Sequence, residues 1–103
     1  MMFIDKHACI ELGLPEPKKY HTQDHYIATC LLKGCKINTR ICRHIGIGNL
    51  HSLKKAIKNR VEFMEYKDSV FCPKLKLIPP HKVLIIYMTH EQIKQHLSNK
   101  KPA

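Results

Sequence analysis

The apolar positions change their period along the chain, and the changes mark the elements. Ala8, Cys9 and Leu12 share one face at helical spacing. Asp5 precedes them as an N-cap and Gly13 follows, which predicts a short helix over 4–12. The segment Leu14-Pro15-Glu16-Pro17-Lys18-Lys19 holds two prolines that no continuing helix accommodates. Residues 1–19 therefore read as a short helix and a linker. Residues 22–33 are apolar on both faces if extended, whereas on a helix Ile27, Cys30 and Leu31 make one stripe. Thr22 supplies the cap, Asp24 sits in the first turn where the dipole favours an anion, Lys33 lies in the last turn and Gly34 ends it.

Cys35-Lys36-Ile37 is expected as a short extended link. Asn38 or Thr39 then caps a second helix over 40–45, with Ile41, Cys42 and Ile45 inward. Gly46-Ile47-Gly48-Asn49 breaks it, both glycines tolerating left-handed backbone. A third helix starts near Leu50. Leu50, Leu53, Ala56 and Ile57 mark its buried side, while His51, Ser52, Lys54, Lys55, Lys58 and Asn59 lie on the other. The pattern fits both a continuation to Met64 and a stop near Arg60 followed by a strand over 61–66. Lys67-Asp68-Ser69 is expected to turn, and 70–78 to be extended, with Leu75 and Leu77 alternating against Lys74 and Lys76. Pro79-Pro80-His81 interrupts the chain, and 82–88 is its most strand-like stretch. Thr89-His90-Glu91-Gln92 has capping-box form and opens a last helix through Ile93 and Leu97. The main domain is expected over 20–97, and 98–103 as a basic tail.

Length and composition narrow the class. A chain of 103 residues suits one domain, and 44% apolar with 25% charged residues argues against wholesale disorder. The longest apolar run, 83–88, is far short of the roughly 20 residues of a membrane span. No basic region followed by an apolar stretch opens the chain, so no secretory leader is expected.

Charge changes the picture more. Lys and Arg number 18 against 8 Asp and Glu, a formal net charge of +10 with the 8 His neutral. The excess is segregated. Residues 25–61 contain no carboxylate, yet carry Lys33, Lys36, Arg40, Arg43, Lys54, Lys55, Lys58 and Arg60. Such a stretch does not neutralise itself, and its natural counterion is a polyanion, because each phosphate it neutralises releases condensed cations. An anionic membrane fits less well, since the basic stretch lacks the Trp and Phe of interfacial helices.

Five cysteines, an odd number, argue for reduced thiols rather than a disulfide framework. Cys30, Cys35, Cys42 and His44 form an alternative zinc set, although their spacing matches no standard finger or knuckle.

The order helix, short strand, helix, tight turn, basic helix, then strands resembles the winged helix-turn-helix domain, most closely its small phage-encoded versions, over about residues 22–88. Residues 37–57 carry the resemblance. Cys42 provides a small side chain where two helices cross, Gly46 makes the turn, Ile47 anchors it, and Leu53 with Ile57 dock the next helix. Cysteine stands where alanine is usual, the turn to Leu53 is one residue longer than the tightest pattern, and the segment after the third helix is long for a wing and holds Pro73, Pro79 and Pro80. The resemblance implies that the third helix enters a major groove about 12 Å wide. Ser52 and Asn59 would then reach base edges beside His51, while Lys54, Lys55, Lys58 and Arg60 reach phosphates. Arg40 and Arg43 would touch the backbone, and Lys74 and Lys76 would lie on a wing in the flanking groove.

The histidines offer a competing chemistry. His21 and His25, with Asp24, Tyr20 and Tyr26 and assisted by His44 and His51, can be read as general acid–base groups of a small ribonuclease. No nucleophile–base pattern or paired carboxylate accompanies them. The expectation is accordingly an α+β winged helix-turn-helix protein, a three-helix core with a small antiparallel sheet plus a C-terminal helix. It would act without cofactor or catalysis as a DNA-binding regulator of transcription or replication of phage or mobile-element type, in a reducing cytoplasm. A homodimer would pair through helix 4–12 or 90–97. The alternatives are a viral host-takeover factor that grips a host protein, and an RNA-binding protein or ribonuclease toxin.

Overall fold

Local capping fixes most of the helices. The computed structural model describes residues 4–19 and 22–99. Helix α1 spans Lys6–Glu11, with the Asp5 carboxylate accepting from the Ala8 N–H at 3.1 Å and Gly13 ending the segment at φ +75°. Helix α2 spans Gln23–Leu32, where Thr22 Oγ1 accepts from the His25 N–H and Gly34 follows at φ +87°. Strand β1 is Ile37–Asn38, and the Asn38 side chain caps helix α3, Thr39–His44, by accepting from the Ile41 N–H at 2.9 Å. Helix α4 spans Leu50–Lys58 behind an Asn49 cap. Strands β2, Met64–Asp68, and β3, Val83–Tyr87, follow, and helix α5 spans His90–Asn99. The Thr89–Gln92 box is reciprocal: the Gln92 N–H donates to Thr89 Oγ1 at 3.1 Å and the Thr89 N–H donates to Gln92 Oε1 at 3.0 Å.

Among the described residues these elements make a compact α+β unit of five helices and one antiparallel sheet ordered β1-β3-β2. Ile37 pairs with Ile86 and Asn38 with Ile85, while β2 pairs with β3 from Met64–Tyr87 to Asp68–Val83. The central place of β3 explains its unbroken apolar sequence, and Leu84, Ile85 and Ile86 are all buried. Helix α4 stops at Lys58, so the strand reading of the ambiguous region holds, with the strand displaced to Met64–Asp68.

Two expectations need correction. Lys67 and Asp68 do not turn, because their pairing with Leu84 and Val83 keeps them in β2. Residues 70–78 are not an extended run. Cys72 and Leu77 pair only with each other across a tight turn, the Lys76 N–H donating to the Cys72 carbonyl at 2.8 Å with Lys76 at φ +61°. The alternation of Lys and Leu there is not a strand pattern, since Leu75 and Leu77 are as exposed as Lys74 and Lys76.

One core holds the elements. Tyr26, Ile27, Cys30 and Leu31 of α2 meet Ile37, Cys42, Ile45, Ile47, Leu50, Ile57 and Ile86. Ala8 and Cys9 of α1 belong to the same cluster, and the Tyr26 hydroxyl donates to the Pro15 carbonyl at 2.6 Å, so the N-terminal segment packs on the rest. Full burial of Leu50 and Ile57 contributes about 1.5–3 kcal/mol each.

The corner between α3 and α4 depends on Gly46 at φ +90°. Gly46→Ala is expected to cost about 1–2 kcal/mol through the left-handed backbone it forces on a side chain, read as a lower urea midpoint at unchanged slope.

Candidate nucleic-acid interface

Helix α4 is placed by its apolar stripe, and that placement decides which cations meet solvent. With Leu50 and Ile57 buried and Leu53 packed against the core, His51, Ser52, Lys55, Lys58 and Asn59 are exposed. Local contacts modify this row. Ser52 Oγ donates to the Asn49 carbonyl at 2.8 Å, and Asn59 is the C-cap. The Lys58 ammonium lies 5.2 Å from the centroid of the Phe63 ring, which supports its position through the ring's negative face while leaving the residue exposed.

Two predicted contacts are partly committed elsewhere. Lys54 is half-buried and forms an ion pair with Glu65 at 2.7 Å. The hydrogen bond and charge of Lys54 hold the Glu65 carboxyl below the usual range. Arg60 Nε meets Asp24 Oδ2 at 2.6 Å and ties the end of α4 to the start of α2. Burial pushes the Asp24 carboxyl up, but the hydrogen bonds from Arg60 and Thr22 Oγ1, with the Arg60 charge, outweigh it and hold the group low.

A cleft of about 650 Å³ adjoins the N-terminal end of α4. Arg43 of α3, His51 of α4, Lys67 of β2 and Lys82, which directly precedes β3, line it. Lys67 and Lys82 escaped sequence reasoning. Lys67 lay in an expected turn, and its nearness to Lys82 depends on the pairing of Lys67 with Leu84. A hairpin between the two predicted strands, drawn residue by residue, was the signal that could have found them. Arg43 also reaches a second cavity, which it shares with Arg40 and Lys74. Lys74 and Lys76 are exposed on the 73–76 turn, and Arg40 is half-buried in α3. Lys54 and Arg60 are ion-paired and His44 faces Glu11, whereas among the described residues Arg40, Arg43, Lys55, Lys58, Lys67, Lys74, Lys76 and Lys82 meet no carboxylate.

The alternative chemistries gain little geometry. The set Cys30, Cys35, Cys42 and His44 is not assembled: among the described residues no three His, Cys, Asp or Glu side chains gather as metal ligands, and His44 faces Glu11 at 3.6 Å. Burial raises the Cys30 and Cys42 thiols to about 12, which keeps them protonated core residues. Of the ribonuclease set, Tyr20 and His21 lie outside the described residues, Asp24 is engaged by Arg60, and Tyr26 is buried. No helix among the described residues is long and apolar enough to cross a membrane.

None of the known protein families, curated proteins or solved structures compared with the chain matches it.

The Asp24–Arg60 pair has a definite pH signature. A carboxyl held low in the fold stabilises it above the unfolded-state value, near 3.9, and the contribution vanishes as pH falls through the lower folded value. The stability gap between the wild type and Asp24→Asn is therefore expected to be constant from about pH 7 to 5 and to close on further acidification, as measured by thermal unfolding.

Proposed function

We propose that the protein is a sequence-dependent duplex-DNA-binding regulator of transcription or replication, of the phage or mobile-element type, built as a winged helix-turn-helix. The observation that carries this reading is the unpaired basic surface formed by His51, Lys55 and Lys58 of α4 and by Arg43, Lys67 and Lys82 of the adjoining cleft. The strand order β1-β3-β2, with α3 and α4 between β1 and β2, supports it as well. On this reading α4 lies in the major groove, Asn59 and His51 discriminate bases, and the β2–β3 connection acts as the wing that carries Lys74 and Lys76. Lys67 and Lys82 hold phosphates at the wing's base. The reaction is occupancy alone, with neither cofactor nor catalysis, in a reducing cytoplasm. Dimerisation would use α5, which leaves Leu97 exposed, because Ala8 and Cys9 commit α1 to the core.

A second reading has one observation in its favour. Phe71, Leu75, Leu77 and Ile78 on the β2–β3 connection are all at least half exposed, as a protein-gripping surface would require. A host-takeover factor of that kind should co-purify stoichiometrically with one protein after nuclease treatment.

Selection from random duplexes should return a preferred sequence, whereas equal recovery of all sequences would remove the regulator reading. Lys55→Ala and Lys58→Ala should each weaken duplex binding uniformly across sequences and reduce the slope of log affinity against log salt by about 0.9. Glu65→Gln should act in the opposite direction. Freeing Lys54 is expected to raise duplex affinity roughly twofold to fivefold, the equivalent of a surface pair worth ~0.4–1 kcal/mol, measured by fluorescence anisotropy at low salt.

A further inference from the structure

A cavity of about 450 Å³ lies between α3, the first residue of β3 and the 72–77 turn. Arg40, Arg43 and His44 reach it from α3, and Lys74 reaches it from the turn. Among the described residues no carboxylate pairs with Arg40, Arg43 or Lys74, and His44 faces Glu11. Two polar atoms of the lining residues, Arg40 Nε and Thr39 Oγ1, are buried without a hydrogen-bond partner. Such atoms are rare in folded proteins, where nearly every buried donor is satisfied. The electrostatic character extends to Cys72. The N–H groups of Leu75 and Lys74, with the Arg40 guanidinium, outweigh the effect of burial and draw its thiol below the ordinary range. Arg40, Arg43 and Lys74 therefore line one cavity, and Leu75 and Val83 add apolar surface to it.

The ligand that fits carries more than one negative charge and several acceptor atoms. A carboxylate would be matched by a single guanidinium fork. A phosphate monoester brings about −1.5 to −2 charge at pH 7 and three acceptor oxygens, enough for two arginines, a lysine and a hydroxyl. The apolar side accepts an organic body, and the volume falls within the roughly 300–1,000 Å³ of small-molecule sites.

We propose that this cavity binds a phosphate monoester of nucleotide size, with Arg40, Arg43, Lys74 and Thr39 holding the phosphate and Leu75 and Val83 contacting the rest. The site shares Arg43 and Lys74 with the proposed duplex-binding surface and adds Thr39 and Arg40, which are half-buried behind them. A bound ligand bridges α3 to the 72–77 turn and so ties the β2–β3 connection to the body of the protein.

Amide chemical shifts of the full chain, titrated at fixed ionic strength with adenosine monophosphate, inorganic phosphate, adenosine and a DNA duplex in turn, test the proposal. The expected result is saturable shifts confined to residues 39–44 and 72–77 with both phosphate probes, at a Kd on the order of 1 mM or tighter for the nucleotide, and none with adenosine. Arg43 and Lys74 are exposed, so the double variant Arg43→Ala, Lys74→Ala should keep the fold, seen as unchanged shifts elsewhere, and lose at least about tenfold in affinity. The proposal is overturned by an absence of saturation up to roughly 10 mM, by an equal response to adenosine, or by unchanged affinity in the double variant. Shifts of these amides with the duplex alone would overturn it too, assigning the cavity to the DNA backbone. The nucleotide titration contains no DNA, so its result is independent of whether the protein binds a duplex.

Discussion

The geometry of the basic surface depends on a single corner. At Gly46 the backbone takes a left-handed conformation, which lets Ile45 and Ile47 both enter the core while the chain reverses between α3 and α4. The Ile47 N–H returns to the Cys42 carbonyl at 2.8 Å and closes the corner. With that turn fixed, Leu50 and Ile57 have one way to bury, and the opposite side of α4 has one way to face. The Asp5 N–H donating to the Ile45 carbonyl at 2.7 Å adds α1 as a brace behind the same corner.

Electrostatics then sort the cations into two groups. Lys54 and Arg60 are held by Glu65 and Asp24, and their ion pairs join α4 to β2 and to α2. Exposed pairs of this sort add little stability, but they withdraw two cations from the field that a polyanion feels. Among the described residues, cations outside these pairs lie on the open side of α4, in the cleft with Lys67 and Lys82, and around the smaller cavity with Arg40, while Lys36 sits over the Tyr66 and Tyr87 rings. The carboxylate-free interval of the sequence is thus not one uniform patch, because carboxylates from outside that interval fold back onto part of it.

What the sequence disclosed and what it hid follow from the range of the interactions. Helices α1 to α5 were legible because their signals are local. Asp5, Thr22, Asn38 and the Thr89–Gln92 box each bond within three residues of themselves, and Gly13, Gly34 and Gly46 stop the chain through their own backbone. Strand β3 was legible from its apolar run alone. The region from Lys67 to Ile78 was not. Lys67 and Asp68 are strand residues only because Leu84 and Val83 lie opposite, and the turn at Cys72 is set by a bond to Leu77 and a left-handed Lys76 that no alternation of Lys and Leu announces. The candidate site divides the same way. The row on α4 could be read from helical spacing, whereas Lys67, Lys82 and the enclosure around Arg40 arise where distant segments meet.

The sheet leaves one long border free. Among the described residues no strand pairs with the outer side of β2, and all five of its residues are exposed. Unsatisfied backbone groups along such a border invite a second chain to add itself, and Met64 and Tyr66 would welcome the contact. Glu65, Lys67 and Asp68 alternate with or follow them, so an identical strand laid alongside would have to accommodate its own charges. Any strand added there would first have to strip water from Glu65, Lys67 and Asp68, a desolvation cost that discourages zipping without covering the border.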